Sequence, residues 1–549
     1  METDAIPLAG CTGEPGNIAI MQQQEITKAR EKRASLFERI LISIATLAVL
    51  SGMSGCASLP TTKTPREPSY VISHPNTSLS RTYDRQVSAQ GGKSGFMLLG
   101  SGLDAFVART ELFKKAEKSI DVQYFIVWDD LAGKLFFRSL LDAAERGVRV
   151  RILLDDMPLK DLSPRLATLD QHPNIEIRSF NPLSRRMPRF VQYIFNFGKT
   201  TRRMHNKAVI VDNTLAIVGS RNIGNKYAAA KPNNTDIIFS GLDVLTVGPA
   251  VKMISGSFDE FWNNRHSIKM SNLNRPADVP MDEIIHCNNP HMAKRYQRFL
   301  KSSPLLGKIR DDRLAFEWGY ARLAADPPEK ITRKVEYGDY LNETPLEPNI
   351  AETDDELWIV SPYFIPNGEE GMSFFENLRR KGVRVTMVTN SYASTDNKIV
   401  NAHYAKYRKR LLAMGVQLFE FKANGNGAAC CGKMRRLFSN SFRAGLHAKI
   451  LSFDRRKTYV GAMNMDPRSI YENTELGLVI SSPRLSNKIT RWYDGNLDKF
   501  AYRLGLDQND RLYWQDMELK TVQTVEPDTN YFERLFMRIL GAVPVESLL

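Results

Sequence analysis

The chain has 549 residues, 42% of them hydrophobic and 25% charged, with a formal net charge of +14 and five cysteines. That length exceeds one ordinary core and asks for roughly two to four domains. The composition excludes wholesale disorder, and so few cysteines, without CxxC or Cys/His spacing, exclude a disulfide-dense scaffold and a zinc site. A chain this basic favours polyanions, either nucleic acid or an anionic lipid surface.

Near the N-terminus, Lys28, Arg30, Lys32, Arg33 and Arg39 precede an apolar run over Ile40–Leu50. The run is too short to span a bilayer comfortably and has the layout of a secretory signal over residues 1–56. It ends in Met53-Ser54-Gly55-Cys56, which resembles the bacterial lipoprotein lipobox, with Met where Leu is usual. That resemblance implies lipidation of Cys56 in a bacterial cell envelope, with the body facing the periplasm; an uncleaved signal anchor is the alternative. Residues 1–20 do not fit such a signal, so Met21 is a second candidate start. Residues 57–95 begin rich in Pro, Ser, Thr and Arg and read as a tether.

From Ser119 strand and helix patterns alternate. Ile120–Trp128 is an apolar strand, Gly133–Arg146 has helical spacing, and Val148–Leu154 is a strand ending in Asp155-Asp156. The order returns at Leu357–Tyr363, Gly371–Lys381 and Val383–Val388, and the tetrapeptide Gly-Val-Arg-Val stands at both 147–150 and 382–385. A repeat this long is a whole domain, and strand–helix–strand order predicts α/β layers with parallel pairing.

Two of the eight histidines share one frame, His205-Asn-Lys207 with Asp212 and His447-Ala-Lys449 with Asp454, 242 residues apart. From average usage the frame follows a given His with a chance of roughly 1 in 300. The sequels agree, Gly219-Ser-Arg-Asn222 and Gly461-Ala-Met-Asn464. On a strand His205 and Lys207 share a face, as do His447 and Lys449. Asp212-Asn213 signals a hairpin turn, after which Thr214–Val218 returns as the partner strand. Pseudo-twofold packing then gathers two imidazoles, two ammoniums and the amides of Asn222 and Asn464 around one tetrahedral phosphate.

This pattern resembles the phospholipase D superfamily, whose HxKxxxxD motif occurs twice in single-chain members. Asp121-Val-Gln-Tyr-Phe-Ile, Arg202-Arg-Met-His-Asn-Lys, Ser361-Pro-Tyr-Phe-Ile-Pro, Asp466-Pro-Arg-Ser and Pro544-Val-Glu-Ser-Leu-Leu resemble the bacterial cardiolipin synthases of C type, from about Gly100 onward. The resemblance implies two similar α/β domains, each a mixed sheet flanked by helices, at 96–275 and 351–525. They would be packed as a pseudo-twofold dimer with one shared active site. A helical connection at 276–350 and a C-terminal amphipathic segment at 526–549 complete the chain. It implies double displacement: His205 attacks a phosphodiester, His447 is acid and then base, and the pseudo-symmetry leaves the reverse assignment open. Lys207, Lys449, Asn222 and Asn464 would hold phosphate oxygens. Asp236 and Glu475 would orient imidazoles. Asp212 and Asp454 complete the catalytic motifs, although a turn-bracing role suits them better. No metal or cofactor is implied. Ala462 stands where Ser is common and removes one hydroxyl from that loop.

The partners so implied are phospholipids and a membrane, with no nucleic acid. The aromatic stretch Phe190–Phe197 reads as a bilayer or acyl contact or as a buried strand. Tyr531, Phe532, Leu535, Phe536, Ile539 and Leu540 recur at helical spacing, for a helix that lies on a membrane or packs on the body. Arg202-Arg203 and Arg435-Arg436 read as headgroup contacts or as solvated faces. Cardiolipin formation from phosphatidylglycerol and a second phospholipid, phosphatidylethanolamine or phosphatidylglycerol, is the leading function. A phospholipase D-type hydrolase is the alternative, and a non-enzymatic lipid-binding protein is the third reading.

Overall fold

The hairpin turns and helix ends anticipated above organise two copies of one sheet. The computed structural model describes residues 66–69, 76–159, 162–185, 192, 197–228, 237–278, 280–281, 285, 290–333, 346–423 and 443–549. Cys56, Asp236, Cys430, Cys431, Arg435, Arg436 and most of Phe190–Phe197 lie outside these residues.

The first half contributes β1 (Ser94–Leu99), β2 (Ser119–Tyr124), β3 (Arg149–Asp155), β4 (Ile175–Phe180), β5 (Lys207–Val211), β6 (Leu215–Gly219), β7 (Ile237–Ser240), β8 (Asp243–Val247) and β9 (Ser267–Lys269). The second contributes β10 (Glu317–Ala325), β11 (Glu356–Val360), β12 (Arg384–Asn390), β13 (Gln417–Phe421), β14 (Arg443–Leu446), β15 (Ile450–Phe453), β16 (Lys457–Gly461), β17 (Leu476–Ser481) and β18 (Ala501–Leu506). The strand order is β9-β4-β3-β2-β5-β6-β8-β1 in one half and β18-β13-β12-β11-β15-β16-β17-β10 in the other. In each half the three strands flanking the helical crossovers are parallel and the rest antiparallel. Antiparallel pairing of β1 with β10, Ser94 opposite Gly319, joins the halves edge to edge, and the parallel pair β7–β14 crosses between them again. The expected pair of mixed sheets is thus one continuous pseudo-twofold body.

The repeated Gly-Val-Arg-Val has a local cause. The helices Leu131–Glu145 and Gly368–Arg380 both end in a Schellman motif. Gly147 and Gly382 take φ of +89° and +86°, and the next amides, of Val148 and Val383, donate to Ala143 and Leu378. A glycine tolerates that φ without a Cβ clash, and the following Val-Arg-Val starts the strand.

The sheet layer is apolar on both sides, as parallel strands covered by helices require. One buried cluster spans both halves, with Phe258, Phe261 and Trp262 of the first beside Ile480, Ile489 and Phe500 of the second. Two features depart from the sequence expectation. Residues in the supposed tether are seated in the body: Ser69 Oγ donates to Asp121 and Asp259, and Ser78–Ser88 is a helix. Arg151, buried between those two aspartates, supplies the charge that holds Ser69 there. The connection between halves is not wholly helical, because β10 lies within it and completes the second sheet.

Candidate active site

Both motif histidines stand just before a sheet strand, and matching polar groups hold the residue ahead of each. Met204 N donates to Asp155 Oδ2 at 2.9 Å, and Leu446 N donates to Asn390 Oδ1 at 2.8 Å. Asp155 and Asn390 end β3 and β12, each five residues after the repeated tetrapeptide, so the repeat register was the signal that marks them.

The two halves exchange contacts at the site. His205 N donates to Thr474 O, and His447 N donates to Ser240 O at 2.7 Å. Each histidine is therefore positioned by backbone from the opposite half. Glu475 crosses in the same way. Counted along the chain it follows His447, yet its carboxylate meets His205 Nδ1 at 2.9 and 3.0 Å. Ser469 Oγ donates to Glu475 Oε1 at 2.9 Å, and Glu475 N donates to Asp326 Oδ2 at 2.8 Å. Asp326 pairs with buried Lys330 at 2.9 Å, and Lys330 also donates to Ser469 O. Ser469 belongs to the Asp466-Pro-Arg-Ser stretch, whereas Asp326 and Lys330 come from the segment between the halves and carry no repeat signal, so the motif search missed that pair. It also missed Tyr227 and Phe239, which stand against His447 at 5.0 and 5.1 Å, while Phe125, edge-on to His205 at 5.1 Å, lies in the Asp121-Val-Gln-Tyr-Phe-Ile stretch.

Lys207 and Lys449 are buried and donate to the carbonyls of His205 and His447. Burial lowers both ammoniums, Lys449 to about 7, against the pull of Glu475 and other nearby carboxylates. Burial and the two ammoniums hold both imidazoles well below the ordinary histidine range. Burial pushes Glu475 up to about 7. Asn222 and Asn464 are buried, and the Oδ1 of each lacks a hydrogen-bond partner among the described residues. Ala462 lies beside His205, where its backbone meets the imidazole. Arg203 is a buried partner of Asp155 at 3.6 Å rather than a headgroup contact or a solvated face, while Arg202 pairs with Glu472.

Asp212 and Asp454 do not reach this site. Each sits in a hairpin turn with φ near +50° at both central residues, at the far end of a strand roughly 20 Å from its histidine. Asp212 accepts from the amides of Glu117, Lys118 and Ser119, and Asp454 from those of Asp354, Asp355 and Glu356. Each carboxylate therefore ties its hairpin to the start of β2 or β11. Asp212→Ala is expected to cost about 1–3 kcal/mol through the buried amides it strands, read as a lowered denaturant midpoint, with turnover per folded molecule retained. Loss of turnover in a fully folded variant would return Asp212 to the chemistry.

The arrangement offers a nucleophilic imidazole with its Nδ1 held by a carboxylate, a second imidazole for proton transfer, and two cations for anionic oxygens. Residues 110–262 and 346–497 match the family described as "Cardiolipin synthase, PLD-like domain". The chain is 38% identical to cardiolipin synthase C of Escherichia coli over 471 residues, 84% of this chain and 98% of that protein. It is 25% identical to cardiolipin synthase A of Pseudomonas syringae over 71% of this chain and 66% of that protein. The phosphatidylserine synthase structure from Haemophilus influenzae superposes with a TM-score of 0.53 at 14% identity, covering 86% of this chain and all of that one, a likeness of fold. With both halves matched and a relative shared over nearly its whole length, the chain belongs to the cardiolipin synthase family of phospholipase D-like transferases.

Proposed function

We propose that the protein makes cardiolipin by transferring a phosphatidyl group to a glycerol hydroxyl of phosphatidylglycerol. The observation that carries this reading is the crossed site, in which Glu475 of one half holds His205 of the other beside His447, Lys207 and Lys449. With Nδ1–H donated to Glu475, the Nε2 lone pair of His205 faces phosphorus. It forms the P–N bond as the P–O bond to the departing alcohol breaks. His447 gives that alcohol its proton, then takes the proton of the incoming hydroxyl as the acceptor oxygen displaces His205. Lys207, Lys449, Asn222 and Asn464 bind the non-bridging oxygens; a bound phosphodiester anion restores the proton affinity that burial removes from His447 and Lys449.

The protein acts on phospholipids at a bacterial membrane. Among the described residues no helix is long and apolar enough to cross a bilayer, and lipidation of Cys56, facing the periplasm, supplies the attachment.

The test is lipid mass spectrometry with purified protein in vesicles of phosphatidylglycerol, phosphatidylethanolamine or both. Cardiolipin only in the mixture names phosphatidylethanolamine as donor. Cardiolipin from phosphatidylglycerol alone names that lipid. Phosphatidic acid without cardiolipin makes water the acceptor and overturns the transferase reading.

The titrations predict a narrow bell for kcat/KM centred below pH 7, because only free enzyme with Glu475 ionised and His447 protonated is productive and burial lowers the proton affinity of His447. As pH falls through about 7, Glu475 gains a proton and stops accepting from His205. As pH rises through about 7, free-enzyme Lys449 loses its charge. For kcat the basic limb moves to higher pH, because bound phosphate stabilises the ammonium. A pH–rate series over both parameters checks this; an unchanged basic limb removes Lys449 from phosphate binding.

A further inference from the structure

The helix Tyr531–Ala542 is placed with its apolar side outward. A reciprocal capping box of Asn530 and Glu533 starts it, so the helix is locally well specified. In a globular body the stripe of Tyr531, Phe532, Leu535, Phe536 and Ile539 turns to the core. Here these side chains are 67%, 77%, 43%, 52% and 56% exposed, and the helix buries only Gly541. Gly541 packs on the helix Lys398–Tyr404, where a Cβ would come within 3.1 Å of Ala402 O. Beyond it Glu546 binds His403 at 3.3 Å and also Tyr407. The helix is therefore fixed by one face while the other is displayed. Scattered exposed apolar residues are ordinary, but among the described residues nine of the twelve large exposed ones fall between Leu519 and Val543.

The position of the helix selects the occupant. The helix adjoins the loop after β12: Glu526, just ahead of the helix, accepts from Tyr392 N, Lys398 at the start of the following helix donates to Tyr392 O, Asp396 of the loop accepts from Tyr363 at 2.7 Å, and Asn390 at the head of the loop holds the residue before His447. Arg538 is exposed along the edge of the apolar stripe, and Arg534 lies one turn before it with its guanidinium on Thr529, so large apolar side chains are bordered by cations, the chemistry of an anionic lipid interface.

We propose that the outward face of this helix seats the protein on a bilayer rich in anionic phospholipid. Tyr531, Phe532, Leu535, Phe536 and Ile539 enter the boundary between headgroups and acyl chains, and the site opens beside them at headgroup level. This rests on the phospholipid reading above.

Hydrogen exchange of the full chain tests it, because the 531–542 peptide reports locally whatever the N-terminal segment binds. Phosphatidylglycerol vesicles are expected to slow exchange there at least tenfold, and phosphatidylcholine vesicles far less. A paired assay compares Phe532→Asp/Phe536→Asp with wild type on vesicles and on short-chain phosphatidylglycerol below its micelle concentration. The variant is expected to lose tenfold or more on vesicles and to stay within twofold on monomers. Unchanged exchange, or unchanged vesicle turnover, overturns the proposal. Equal loss on both substrates makes the helix a support of the body and overturns it. Slowing that follows protein concentration without vesicles assigns the face to a second copy and overturns it. Wild-type inactivity on both substrates, each supplemented with phosphatidylethanolamine of matching chain length, refutes the phosphatidyltransferase reading, while the exchange result still decides the docking.

Discussion

His205→Ala is expected to lower phosphatidyl transfer by roughly 10⁴-fold or more, the scale of removing a nucleophile from a unit that acts together. His447→Ala is expected to fail differently. With a nitrophenyl phosphodiester the leaving group needs no proton, so the first step survives and the second lacks its base. One nitrophenolate per site is released in a burst, and intact-protein mass spectrometry under alkaline quench finds the adduct on His205. His205→Ala gives neither burst nor adduct. A burst and adduct in His205→Ala, with none in His447→Ala, would exchange the two roles. His205 is the proposed nucleophile, with its imidazole held by Glu475 on the Nδ1 side.

Glu475→Gln is expected to reduce kcat by about 10³–10⁴-fold, the size seen when a histidine loses its orienting carboxylate while shape is kept. A glutamine amide can donate to Nδ1, which leaves the proton on Nε2 and removes the attacking lone pair. Burial without the carboxylate also deprives the phosphorylated imidazolium of its countercharge. KM should move little, since Glu475 faces the imidazole and not the lipid. The acidic limb of the rate profile, assigned to the carboxyl raised to about 7, should vanish with it. A variant within threefold of wild type, or one keeping the acidic limb, would show that Glu475 only supports the loop. Ser469→Ala removes one of the carboxylate's donors and should give a smaller loss in the same direction.

The repeat architecture was legible in the chain because its causes are local. Positive-φ glycines end helices at Gly147 and Gly382, and turn residues with positive φ close both hairpins. The repeated His-x-Lys frame set each Lys two residues after its His at the entry to a sheet strand. Those features depend on neighbours within a few residues, so sequence alone determined the two α/β halves, the two His/Lys pairs and their shared register. Only the tertiary structure decided which half serves which histidine. Glu475 lies 270 residues from His205 and acts on it because the pseudo-twofold packing crosses the halves. The Lys330–Asp326 pair behind it has no periodic signature, because a buried ion pair is selected by the packing around it. Asp212 and Asp454 show the converse: they belong to the motif in sequence, yet an extended strand carries them away from the histidines to brace a turn. The C-terminal helix shows it too, since its period specified an amphipathic helix and only the packing of Gly541 on Ala402 determined that its apolar face points outward.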